Sequence, residues 1–163
     1  MFIIKTKELT IAALVMAMYI VIMYLTQGFS FGPYQIRMAT SLYALGYIYP
    51  FLIVPMGAAN LLSNTLMGGL GVFDMIGGTM VGIITTTLIY LIKRFNLNKW
   101  LIVVPIVFIP GLLVPIWLSY LLHIPYFALA ISLCIVQIIP GIVGVILIKR
   151  LERNTKIVPH NQM

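Results

Sequence analysis

Residues 100–122 read WLIVVPIVFIPGLLVPIWLSYLL, 23 consecutive positions without a charged side chain. An α-helix rises about 1.5 Å per residue, so about 20 apolar residues cross the hydrocarbon core of a bilayer. The stretch therefore reads as a membrane-spanning helix. Three prolines lie inside it, Pro105, Pro110 and Pro115. Membrane helices tolerate proline where neighbours satisfy the freed carbonyls, so kinks are expected. The whole chain has the same character. Of its 163 residues, 62% are hydrophobic and 8% charged, against about 45–50% and 25% in soluble domains. Ten basic and three acidic side chains cannot cover a soluble fold of this size. A soluble catalytic or nucleotide-binding domain has no room, and any energy-driven work requires another chain.

Similar apolar runs recur along the sequence. They predict an all-α polytopic membrane protein with six transmembrane helices, at about 8–26, 38–49, 51–67, 73–92, 100–122 and 126–148. One integral membrane domain covers 1–163, with a polar tail over 149–163. The first run follows a basic start but is long for a signal peptide. It lacks a small-x-small cleavage site, so it is expected to be retained. Segments 27–37 and 68–71 are rich in glycine and read as loops, and Pro50 and Pro55 bracket a turn.

Nine of the ten basic residues form three groups: Lys5 and Lys7; Lys93, Arg94 and Lys99; Lys149, Arg150, Arg153 and Lys156. They flank hydrophobic runs, the pattern of cytoplasmic loops under the positive-inside rule. Six crossings place both termini in the cytoplasm of a multi-pass protein in the cell membrane. Loops 27–37, 68–73 and 123–125 then face outward. The lone Cys134 reads as a small hydrophobe.

Only Arg37 and Asp74 remain as ionisable residues in the membrane body, each after a glycine-rich outer loop. Such residues are functional candidates by default. The bland alternatives are headgroup contact for Arg37, helix capping for Asp74, or mutual pairing. Nearby polar residues favour a pocket. Tyr34 and Gln35 precede Arg37, and Asn60 and Asn64 share one helix face with Ser63 and Thr65 beside them. Gln137 is a buried amide that lines the pocket or bonds across helices. Trp117 stacks on a ring or anchors at the interface. Ala13 and Ala17 form a small-xxx-small pair that admits another helix, as do Gly78 and Gly82. The Thr85-Thr86-Thr87 run is expected to bond back to the helix backbone. The sequence contains no hydrolase or metalloprotease motif, and His123 and His160 make no metal site alone. No enzyme activity, cofactor or metal is expected.

The stretches FGPYQIRMATSLYALGYIYP (31–50) and GAANLLSNTLMGGLGVFDMIGGTMVGIITTTL (57–88) resemble the QueT family, the substrate-binding S components of energy-coupling factor (ECF) transporters. The shared pattern is an aromatic-Gly-Pro-x-Gln-x-Arg loop, a small-Asn-Leu element and a Gly-Leu-Gly-x-x-Asp motif followed by glycine. The resemblance implies an S-component-like bundle that captures a queuosine precursor or related deazapurine. A transmembrane coupling protein and two cytoplasmic ATPases then drive import. It carries Arg37, Asn60 and Asp74 over as motif positions, and Ala13 and Ala17 as the contact with the coupling protein. Thr40 stands where the family often has Glu, and no acid lies between Asp74 and Glu152. A neutral deazapurine, a different vitamin or a nucleobase-like nutrient therefore stays open as the ligand. The expected pocket uses Tyr34, Gln35, Arg37, Asn60, Asn64, Asp74, Trp117 and Gln137, with loops 27–37 and 68–73 as lids. The rival reading is an auxiliary subunit of a membrane complex without its own ligand.

Overall fold

A computed structural model describes residues 6–30, 35–67 and 70–155. Those residues are helical or connecting, with no strand among them. In chain order the helices are α1 (Thr6–Leu25), α2 (Gln27–Ser30), α3 (Ile53–Leu66), α4 (Val72–Arg94), α5 (Val103–Leu122), α6 (Tyr126–Val136) and α7 (Ile138–Thr155). Tight 3₁₀ segments cover Met38–Tyr47, Pro50–Leu52 and Lys99–Ile102. Four stretches are long and apolar enough to cross a membrane: Thr6–Leu25, Val72–Arg94, Lys99–Leu122 and Tyr126–Asn154. The protein is an all-helical membrane protein.

Several elements differ from the sequence expectation. The predicted helix over 38–49 is a ten-residue 3₁₀ helix ending at Tyr47. Segment 27–37 begins with the helical turn α2, and its residues 31–34 lie outside the described part. The predicted helix over 126–148 is interrupted at Gln137 and continues to Thr155, into the expected tail. The interruption has a local cause. Pro140 has no N–H for the carbonyl of Val136, one turn earlier. The helix hydrogen bonds resume on either side, Gln137 N to Leu133 O and Gly141 N to Gln137 O. The extension is held from the 3₁₀ segment before α5: Lys99 pairs with Glu152, and Lys149 Nζ lies 4.1 Å from the Trp100 ring centre. Residues 156–163 lie outside the described part.

The turns follow from residue type. Gly71 precedes α4 at φ 89°, a conformation that side chains rarely adopt, and His123 ends α5 in the left-handed region at φ 54°. Close helix contacts occur at glycines. A Cβ on Gly82 would lie 3.1 Å from Gly57 Cα and Met56 O, so α3 and α4 touch backbone to backbone. On α4, Thr86 and Thr87 donate to the carbonyls of Gly82 and Ile83, as expected of the threonine run, whereas Thr85 Oγ1 is buried without a partner among the described residues.

Two apolar clusters hold the bundle. The larger joins α1, the 3₁₀ helix 38–47, α3, α4, α5 and α7 through residues such as Tyr19, Tyr43, Met56, Ile89, Ile106 and Ile148. The smaller joins α4, α5 and α6 through Val81, Val114, Leu118, Leu129 and Leu133. Buried polar side chains gather where these clusters meet.

Candidate functional site

Arg37 and Asp74 are both buried, and Arg37 Nη2 lies 3.5 Å from Asp74 Oδ2. Arg37 precedes the 3₁₀ helix, and Asp74 occupies the first turn of α4, where a carboxylate meets the positive end of the helix dipole. The Asp74 carboxylate meets side chains from other elements. Its Oδ1 accepts from Trp117 Nε1 at 3.2 Å. Its backbone carbonyl accepts from Asn64 Nδ2 at 2.8 Å. Arg37 Nη1 donates to Asn60 Oδ1 at 3.3 Å, and Arg37 Nε donates to the Ser30 carbonyl at 3.4 Å. A buried ion pair persists where further hydrogen bonds offset its desolvation, and this one has them on both sides.

The network continues inward. Asn60 Nδ2 donates to Tyr43 Oη at 2.7 Å, and the Tyr43 and Tyr19 hydroxyls lie 3.1 Å apart with their rings stacked. On the other wall, Thr40 Oγ1 lies 3.0 Å from Gln137 Oε1. The 3₁₀ geometry explains why these residues line up. With three residues per turn, positions three apart eclipse, so Arg37, Thr40 and Tyr43 form one row facing the chamber. Gln35, Asn60, Gly78 and Gln137 complete the polar wall, with Val81, Val114 and Leu133 on the apolar side.

Glycines make room for this arrangement. A Cβ on Gly78 would come within 2.6 Å of Asn60 Oδ1 and 2.7 Å of Asn64 Nδ2. A Cβ on Gly77 would meet the Trp117 ring at 2.7 Å. The enclosed cavity measures about 10 Å³, room for about one water molecule. A two-ring heterocycle enters only if the walls separate. Hydrogen-bonding capacity remains in and beside the cavity. Asp74 Oδ2 has the ion pair with Arg37. Gln35 Nε2, in the cavity wall, and Asn64 Oδ1, outside it, are buried without a hydrogen-bond partner among the described residues. Each such group costs about 1–3 kcal/mol, which makes it a candidate contact for a polar guest.

Of the residues singled out from the sequence, Gln35, Arg37, Asn60 and Gln137 line the cavity. Asn64, Asp74 and Trp117 do not line it and connect to it through their hydrogen bonds and the Arg37 ion pair. Tyr34 lies outside the described residues. Thr65 is exposed and bonds to the Leu61 carbonyl. Tyr19, Tyr43 and Thr40 join the network without having been singled out as contacts. Aromatic residues in an apolar run give no sign that their hydroxyls meet a buried amide.

These features define a class: a helical membrane protein with a buried polar network and a small cavity within its bundle. Comparison with protein families matches residues 9–153 to the family described as QueT transporter. The chain belongs to the QueT transporter family. Comparisons with curated proteins and with solved structures each found no match.

Proposed function

We propose that the chain is the substrate-specific S component of an ECF-type transporter, capturing a small heterocycle from outside for import driven by partner subunits. The ligand class is a queuosine precursor or related deazapurine. The observation that carries this reading is the Asp74 carboxylate. It is buried, with Oδ1 accepting from Trp117 and Oδ2 paired with Arg37, and each oxygen keeps a second lone pair for a guest. A carboxylate accepts two parallel hydrogen bonds from a ring N–H and an adjacent amino group. Gln35 Nε2 supplies a donor for a ring carbonyl, and Asn60, Asn64 and Gln137 frame the guest. Trp117 and Tyr34 stack on its faces. The lids over the pocket are 27–37 and 68–73.

Six crossings accommodate this role. The 3₁₀ helix Met38–Tyr47 and α3 are shorter than an ordinary span. Ten residues at the 3₁₀ rise of about 2.0 Å nevertheless cover about 20 Å, and flanking residues extend both segments. Two further crossings place both termini with the basic groups on the cytoplasmic side, as a single domain spanning 1–163. The coupling protein and two ATPases then act from that side, with Ala13 and Ala17 as the contact.

The test is binding by the purified chain. A co-purified heterocycle in the mass spectrum, or a thermal shift with one member of a panel of deazaguanines, purines and vitamins, is the expected result. Asp74→Asn abolishes that shift. If no member of the panel binds and Asp74→Asn leaves stability unchanged, an auxiliary subunit without its own ligand replaces this reading.

A further inference from the structure

Two depressions flank the short 3₁₀ segment Lys99–Ile102 at the basic end of the bundle. On one side, an apolar groove of about 330 Å³ runs between α4 and α5, walled by residues including Leu88, Ile92, Phe95, Leu101, Val104 and Phe108. On the other, a depression of about 260 Å³ is formed by Lys99 with Lys149, Glu152 and Arg153 of α7. Lys99 and Leu101 are two residues apart, so their Cα atoms lie within about 7.6 Å of each other. Trp100 stands between them, half exposed, with Lys149 over its ring.

The two depressions differ in chemistry. The groove is apolar and lies between two helices long and apolar enough to cross a membrane, so its chemistry suits a hydrocarbon chain. The second depression holds three cations and one carboxylate, and that carboxylate pairs with Lys99. The contact of Lys149 with Trp100 leaves its charge intact, and Arg153 is exposed. Lys93, Arg94 and Arg150 add exposed positive charge at the same end.

We propose that this composite is a binding site for an anionic phospholipid. Its phosphate is held by Lys149 and Arg153, and one acyl chain passes over Trp100 into the α4–α5 groove. Charge complementarity selects the anionic class, because a zwitterionic headgroup brings its own cation to a site that already has an excess. Juxtamembrane cations attract anionic lipid in this way, each contributing about fivefold in affinity.

Trp100 reports on the site directly. The full-length chain is reconstituted in bilayers containing either phosphatidylglycerol or phosphatidylcholine brominated on the acyl chain. The Trp100 signal is the difference between wild type and Trp100→Phe. Brominated phosphatidylglycerol is expected to quench Trp100 at a several-fold lower mole fraction than the phosphatidylcholine. Lys149→Gln with Arg153→Gln reduces that preference by about fivefold or more. Val104→Phe, which fills the groove, weakens quenching while both cations remain. Equal quenching by the two lipids overturns the proposal in favour of general lipid solvation or a protein partner. A preference that survives in the double variant overturns it in favour of diffuse surface charge.

Discussion

Arg37 and Asp74 are the two buried charges among the described residues, and each limits what can happen to the other. Removing one partner of a buried pair leaves the other charge without compensation, typically at about 3–5 kcal/mol, whereas replacing both with apolar residues of similar size is often nearly neutral. Arg37→Met and Asp74→Leu are therefore each expected to lower the apparent melting temperature in detergent strongly. The double variant should lose less than either single. Additive losses would mean that the 3.5 Å approach of Nη2 to Oδ2 carries no coupling. Both charges were legible in the sequence, because an ionisable residue in an apolar chain stands out and both follow glycine-rich loops. Their mutual pairing was one of the readings the sequence left open, and the structure shows it; the amide contacts around them were not legible. Asn60 and Asn64 were placed on one face by their spacing, but only the packed structure directs Asn60 towards Tyr43 and Asn64 towards the Asp74 carbonyl. The space for these amides comes from Gly78, whose role there the sequence did not reveal.

The element that organises the chamber is the 3₁₀ helix Met38–Tyr47. Runs of this kind rarely exceed 3–4 residues, so a ten-residue example must be held by its surroundings. Almost all of its side chains are buried. Gly46, in the row that includes Arg37, Thr40 and Tyr43, lies against α4, where a Cβ would meet Thr86 Cγ2 at 2.4 Å and Thr86 O at 3.1 Å. Gly46→Ala is accordingly expected to destabilise by about 1–3 kcal/mol through overpacking. Adding Thr86→Ala removes the closer contact and should restore part of the loss, as read from thermal denaturation of the purified variants. A Gly46→Ala protein as stable as wild type would show that the row does not seat on α4 as described. The sequence MATSLYALGY reads as an ordinary short α-helix because no residue in it demands three per turn over 3.6. That choice comes from tertiary packing. The interruption at Gln137 was hidden for a related reason: membrane helices often carry proline, so Pro140 alone did not separate a kink from a break. The long uncharged runs behaved differently. Length and absence of charge suffice to define a span, and α1, α4 and α5 lie close to where those runs predict them.

At the scale of the whole molecule, α1 has two working faces. Ala12, Val15, Tyr19 and Met23 form its buried stripe, and Tyr19 reaches the chamber network through Tyr43. Ala13 and Ala17 are exposed, one turn apart, where small side chains let another helix approach closely. A surface of this kind on a peripheral helix suits the proposed contact with a coupling protein and leaves the chamber undisturbed. Tryptophan at both positions would hold an approaching helix several ångströms away without touching any residue of the polar network. Ala13→Trp with Ala17→Trp is therefore expected to abolish heterocycle uptake in cells that contain the coupling module. Binding by the purified chain should remain within about twofold of wild type. Ile131→Trp, on the exposed face of α6, serves as the control, since it places a tryptophan away from α1 and should leave uptake intact. Survival of uptake in the α1 double variant would remove this face as the coupling contact. Loss of binding together with uptake would instead show that α1 bears on the chamber, with the Tyr19–Tyr43 contact as the route for that disturbance.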